Sequence, residues 1–139
     1  GGLLGSILTE CSGSSIFFEG GVISYSNEVK EKVLSVDPGV LREQGAVSGE
    51  VAERMSVGVA QLLNSKASLA ITGVAGPAGG SLEKPVGTVW IAASCEGQVY
   101  SKKLSLRGNR ERVRVRACWE LLNFFRESFI IVGIDKKCQ

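Results

Sequence analysis

Two stretches of this chain bring together residue types that could do chemistry. The first is Tyr25-Ser26-Asn27-Glu28-Val29-Lys30. Ser26 can cap a helix running through Val33, with Asn27 and Glu28 in its first turn. Lys30 then stands in the first or second turn, toward the positive end of the helix dipole, where the ammonium form is disfavoured. A lysine held there and partly buried gives up its proton more readily and can serve as a general base. The chain contains no histidine, which removes Ser-His-Asp and Cys-His catalysis and His-based zinc motifs and leaves Lys30 the natural candidate. The competing reading is a solvated helix lysine beside Glu31 and Lys32, since lysines are mostly exposed.

The second stretch is Ile71–Val89, ITGVAGPAGGSLEKPVGTV. It reads as a short apolar strand, a glycine-rich loop and a second strand. Gly73, Gly76, Gly79, Gly80 and Gly87 let the backbone bend sharply and approach a ligand, while Pro77 and Pro85 stiffen it. A bent and braced loop between strands suits a binding site, and a plain turn-rich connection is the alternative. Walker A fails, because Lys84 follows Gly80 by four residues and no Ser or Thr comes after it; GxGxxG is absent as well. A backbone nest for an anion stays open.

Arg107, Arg110, Arg112, Arg114 and Arg116 form a third cluster. At helical spacing the last four spread over two sides, which reads as a solvated surface, with Arg110 near the helix start able to reach a ligand phosphate. Nucleic-acid binding would run through Arg112 and Arg114. A net charge of +2 argues against it, and the nearby aromatics Trp119, Phe124 and Phe125 read as core. Cys11, Cys95, Cys118 and Cys138 are scattered without a CxxC pair, which fits a reducing, cytoplasmic setting better than disulfides or zinc.

Elements must position these groups. With 139 residues, 44% hydrophobic and 22% charged, the chain is expected to form one domain with a proper core and no membrane span. Leu3, Leu4, Ile7 and Leu8 mark an apolar helical stripe in 1–10. Ile16–Ser24 carries β-formers around Gly20-Gly21. Asp37-Pro38 starts a helix that Gly45 closes, and Ser48 opens a longer one over Gly49–Asn64. Leu69–Val74 and Val86–Ser94 read as strands, and Glu96-Gly97 turns the second into Gln98–Leu106 as a hairpin. Asn109 caps a last helix carrying Val113, Ala117, Leu121, Phe124 and Phe125. The expected architecture is a three-layer α/β/α sandwich with a mixed, mostly parallel sheet. It spans residues 1–128, with 129–139 as a tail.

Taken together, GSSIFFEGGVISYSNEVKEKVLSV, LREQGAVSGEVAERM, ITGVAGPAGG and EKPVGTVW closely resemble the C-terminal domain of the competence-and-damage-inducible CinA family, in the family's order and spacing from Gly1 to about Leu122. The resemblance implies an α/β/α amidohydrolase domain that deamidates nicotinamide mononucleotide to nicotinate mononucleotide and ammonia, a step of pyridine-nucleotide salvage. It implies serine amidase chemistry with a lysine in place of histidine, no cofactor and no metal. Lys30 matches the family's base and Tyr25 a residue lining the site. Thr72, Gly73, Ala75 and Gly76 match the loop facing the substrate, and Gly79-Gly80 continue it; Asn27 and Arg110 join the expected substrate contacts. Gly1-Gly2 match the last two residues of an ESCTGG motif, and amides around them could form an oxyanion hole. The chain opens on Gly1 rather than Met, so the nucleophilic serine and a strand before it are expected upstream. Gly108-Asn109-Arg110 stands where the family tends to have Gly-Asp-Arg; Asn still caps the helix.

The expected partner is a small-molecule nucleotide, in a homo-oligomer, with neither nucleic acid nor membrane. The alternative is a non-catalytic nucleotide-binding or protein-interaction module, which would bind the nucleotide without turnover.

Overall fold

The computed structural model describes residues 1–131. Helix α1 (Leu3–Thr9) leads through a 3-10 turn at Ser14–Ile16 to α2 (Asn27–Leu34), α3 (Pro38–Gln44) and α4 (Gly49–Leu63). Strands β1 (Ala67–Gly73), β2 (Thr88–Cys95) and β3 (Gln98–Ser105) follow in succession, then α5 (Arg110–Phe125) and a π-helical turn at Arg126–Ile131. Each expected cap is in place. The side chains of Ser26, Asp37, Ser48 and Asn109 accept from the backbone N–H groups of Val29, Gly39 and Val40, Val51 and Arg112 respectively. Those caps satisfy amides that the first helical turn leaves without partners. Residues 16–24 differ from expectation. Beyond the 3-10 turn this segment forms neither helix nor strand, because no neighbouring strand takes up its backbone.

The three strands form one sheet in the order β1-β2-β3, and both pairings are antiparallel. The expectation of a mostly parallel sheet therefore does not hold among the described residues. The reason lies in the connections. A parallel pair needs a crossover, usually a helix, but α2, α3 and α4 all precede β1 and α5 follows β3. β2 and β3 are joined by the two-residue turn Glu96-Gly97, both residues at positive φ (49° and 83°), as a tight hairpin prefers. β1 reaches β2 through the glycine-rich loop alone. Exposed Lys102 and Lys103 on β3 discourage further pairing at that edge.

Helices cover both faces of this sheet. β2, the middle strand, is buried on both sides, and its side chains alternate between two apolar clusters. Ala92, with Ala70 of β1, packs against Val51, Ala52 and Met55 of α4 and against Leu34, Val36 and Leu41. Val89, Ile91 and Ala93 face the other way, onto Leu104, Leu106 and the α5 stripe Val113, Ala117 and Leu121. Fully burying a side chain such as Ile91 or Leu121 stabilises the fold by about 1.5–3 kcal/mol. Phe129 extends this second cluster by stacking near Phe125 and Tyr100.

Polar groups also fix α4 on the sheet. Ser68 Oγ of β1 donates its only proton to the Ser56 carbonyl of α4 (2.6 Å). It must therefore accept from Ser94 Oγ at 2.7 Å and Ser56 Oγ at 2.9 Å. All three hydroxyls are buried and mutually satisfied. Among the described residues no helix is long and apolar enough to cross a membrane.

The tightest packing joins α2 to α4. A Cβ at Gly58 of α4 would overlap the carbonyl oxygen of Leu34, the last residue of α2. Gly→Ala inside a helix ordinarily gains about 1 kcal/mol, but here the overlap is with backbone that cannot swing aside. Gly58→Ala is expected to destabilise the fold by roughly 2 kcal/mol net, read as a lower urea midpoint; an unchanged or raised midpoint would contradict this packing.

Candidate active site

A cleft of about 1230 Å³ opens between α1, the segment 17–25, the free edge of β1 and the start of α5. Lys30 enters it from α2 and is 6% exposed. Its Nζ donates to the Ser24 carbonyl at 2.8 Å and the Ser26 carbonyl at 3.4 Å. The same Ser26 that caps α2 with its hydroxyl thus also holds the lysine with its carbonyl. At the far end of α2, Ser35 takes a left-handed conformation, and the Ser35 and Val36 amides both donate to the Lys30 carbonyl. The residue is fixed at backbone and side chain alike. Burial pushes its ammonium below the ordinary value of 10.5, in the direction a general base requires.

Across the cleft, Arg110, the first residue of α5, joins two other expected residues. Its Nη1 donates to the Gly76 carbonyl at 2.9 Å and its Nη2 to Tyr25 Oη at 3.3 Å. Tyr25 is otherwise 75% exposed. One guanidinium therefore ties the glycine-rich loop, 34 residues back in sequence, to the tyrosine ahead of α2, 85 residues back. Thr72, Gly73 and Ala75 line the cleft. The Thr72 hydroxyl donates to the Ala46 carbonyl at 2.7 Å, which anchors the start of the loop to the α3–α4 connection. Gly1 and Gly2, at the head of α1, line the cleft as well.

Three expected residues stand apart. Asn27 is exposed as the first residue of α2, and neither it nor Gly79 nor Gly80 lines the cleft. Gly79 and Gly80 belong to the exposed end of the loop, where Ser81 and Lys84 close a turn through backbone and hydroxyl bonds. Gly80 folds back so closely on Val86 that a Cβ would lie 2.8 Å from the Val86 nitrogen.

Two residues that the site expectation omitted do line the cleft, Arg114 and Cys118. The signal for Arg114 was its position four residues after Arg110, which puts both on one side of α5; Arg112 and Arg116 point elsewhere, exposed. For Cys118, burial pushes the thiol up while the Arg114 guanidinium pulls the other way, with the net direction upward. A thiol shifted so is not poised as a thiolate nucleophile. The electrostatics of the cleft are set by cations: Lys30, Arg110 and Arg114 line it, with Glu19 the one carboxylate among its described walls. Among the described residues no group of three or more acidic, Cys or His side chains is placed to hold a metal ion.

A charged group whose folded pKa lies below its unfolded one makes stability rise with pH between the two values, because the unfolded chain then holds more protons. For Lys30 that window runs from its lowered folded value up to 10.5. The urea midpoint of the wild-type protein is expected to rise, relative to that of Lys30→Met, as pH increases toward 10. Parallel pH profiles for the two proteins would show that Lys30 is not desolvated.

With this geometry in hand, the CinA C-terminal domain is the family that matches, over residues 1–129. A CinA-like protein from Geobacter sp. (strain M21) is 43% identical over 126 residues, covering 91% of this chain but 30% of that relative's length. The crystal structure of competence damage-inducible protein A (ComA) from Klebsiella pneumoniae subsp. pneumoniae MGH 78578 superimposes with a TM-score of 0.90 at 33% identity, covering 94% of this chain and 81% of that one. The competence/damage inducible protein CihA from Agrobacterium tumefaciens gives a TM-score of 0.88 at 35% identity, covering 90% and 77%. The chain thus spans about a third of the length of such curated relatives and most of the length of these solved structures.

Proposed function

This chain belongs to the CinA C-terminal domain family, and on that premise we propose that its cleft is an amidohydrolase site that converts nicotinamide mononucleotide to nicotinate mononucleotide and ammonia. The observation that carries the reading is the placement of Lys30. It is buried in the wall of a cleft, held by two carbonyls and pushed toward its neutral form, with the head of α1 at Gly1-Gly2 opening on the same space.

In this reading the serine nucleophile precedes Gly1. Neutral Lys30 accepts the hydroxyl proton as the serine oxygen adds to the carboxamide carbon. Backbone amides around Gly1-Gly2 stabilise the tetrahedral oxyanion. Collapse breaks the carbon–nitrogen bond, and the Lys30 ammonium returns its proton to the departing ammonia. Water then adds to the acyl-enzyme, Lys30 accepts one of its protons, and release of the carboxylate regenerates the serine hydroxyl. Tyr25 and Arg110 border the substrate from the far wall, and Thr72, Gly73 and Ala75 form its floor.

The free edge of β1 belongs to this proposal too. It lines the cleft from Ala67 to Gly73, and a strand leading to the serine would add to the sheet there. Helices on both sides of the sheet support a three-layer arrangement for the 1–128 unit, acting in the cytoplasm as a homo-oligomer.

The full-length protein, carrying the residues before Gly1, is expected to release ammonia from nicotinamide mononucleotide. Lys30→Ala should lower kcat by roughly 100- to 10,000-fold without abolishing nucleotide binding. Calorimetric binding of the nucleotide without any ammonia release would favour a non-catalytic binding module instead. Equal ammonia release by Lys30→Ala and wild type would overturn the role of the lysine.

A further inference from the structure

We infer that a second copy of this chain docks on the free edge of β3, pairing antiparallel with the partner's β3 about a two-fold axis at Ser101. This names the surface for the oligomer proposed above and owes nothing to the cleft, which no β3 residue lines. The ladder decides which backbone groups are free. The Leu106 amide donates to the Gly87 carbonyl, and Cys95 stands opposite Gln98 across the hairpin. Hydrogen-bonded pairs recur at every second residue of an antiparallel ladder. Gln98, Tyr100, Lys102 and Leu104 therefore turn their N–H and C=O groups to β2. Val99, Ser101, Lys103 and Ser105 turn theirs outward, and among the described residues no backbone group takes them up.

Such a row of donors and acceptors is a template for another strand, and the side chains decide which one. In a symmetric pair outward groups must meet outward groups, so the axis passes through a residue, not between two. Centred on Lys102 or Lys103, the pair would set that lysine against its own copy, and like charges directly opposite are destabilising. Centred on Tyr100, it would run out at the Glu96-Gly97 turn. Centred on Ser101, it sets Val99 against the partner's Lys103 and Tyr100 against the partner's Lys102, with no like charges opposed. The lysines that discourage indiscriminate pairing at this edge thus leave this register open.

The facing groups complement one another in charge. On the α4 side, Val99, Ser101 and Lys103 share a groove with Glu50 and Glu53, and the Ser101 hydroxyl donates to the Glu53 carboxylate. Glu50 is engaged by Arg54, whereas Glu53 and Lys103 form no ion pair among the described residues. The partner's Lys103, opposite Val99, stands diagonal to Ser101 and within reach of that carboxylate. The two-fold repeats the contact. On the α5 side, Tyr100 is 46% exposed although Phe129 packs against its ring. The stem and ammonium of the partner's Lys102 cover the ring's open side.

The test uses the full-length protein, with sedimentation velocity for the oligomer and mild oxidation of cysteine variants for the register. In this pairing Ser101 faces its own copy with the Cα atoms about 5.5 Å apart, a separation that a disulfide spans. The two copies of Lys103 lie about 13 Å apart, out of reach. Ser101→Cys should therefore cross-link two chains, and Lys103→Cys should cross-link no more than wild type with its native cysteines. Lys103→Glu sets a carboxylate beside the partner's Glu53 and should weaken dimerisation roughly 10-fold or more. The double variant Lys103→Glu, Glu53→Lys should recover it. A monomer at every concentration, or a dimer whose Ser101→Cys variant stays uncross-linked, would overturn the inference. Cross-linking of Ser101→Cys beside an unchanged dimer in Lys103→Glu would uphold the strand pairing and overturn the ion pair. Ammonia release is a separate readout: an inactive protein that cross-links through Ser101→Cys sinks the amidase reading and upholds the interface.

Discussion

The close approach of α2 to α4 at Gly58 is the constraint on which the rest of the site depends. Because Gly58 has no side chain, the Leu34 carbonyl can settle against α4, and α2 comes down onto the same apolar cluster that holds α4 on the sheet. Leu34 and Lys30 stand one turn apart on α2. Seating Leu34 in the core therefore fixes the depth of Lys30, and the Ser26 cap fixes the other end of the helix. The serine network of Ser56, Ser68 and Ser94 locks α4 against β1 and β2, so the lysine is referred through two rigid contacts to the sheet that carries the loop. A rigid scaffold that positions a few loop and terminal residues is how chemistry is usually housed.

The cleft itself is assembled from parts distant in sequence. Arg110 is the link between them: its two hydrogen bonds draw Tyr25, ahead of α2, and Gly76, after β1, to one point. The cleft is also lopsided in charge, with Lys30, Arg110 and Arg114 against Glu19. Such a field attracts an anionic ligand, while the lowering of the Lys30 ammonium comes from its burial.

Much of this was legible in the chain. Ser26, Asp37, Ser48 and Asn109 announced the helix starts, because short polar side chains satisfy first-turn amides wherever they occur, and those rules are local. Glu96-Gly97 announced the hairpin for the same reason. Strand direction was legible as well, since a loop without helix-forming periodicity separates Val74 from Val86, yet the expected sheet was mostly parallel. The β-forming composition of Ile16–Ser24 misled because a strand requires a neighbour, and composition carries no information about neighbours. At the site, local chemistry pointed to Lys30 and the loop. Asn27, Gly79 and Gly80 were grouped with them by adjacency in sequence, which does not survive the folding back of Gly80 onto Val86. Arg114 was hidden in the opposite way: within a run of arginines only its register with Arg110 set it apart.

The central claim is that the fold holds Lys30 ready to act as a base. The most direct measurement is an NMR titration of the Lys30 side chain, following its 13Cε chemical shift with pH and assigning the signal by its loss in Lys30→Met. A midpoint clearly below the ordinary lysine value of 10.5 is the predicted result. Titration at or above that value would mean that the ammonium is retained at working pH, and the account of Lys30 as the base would be contradicted.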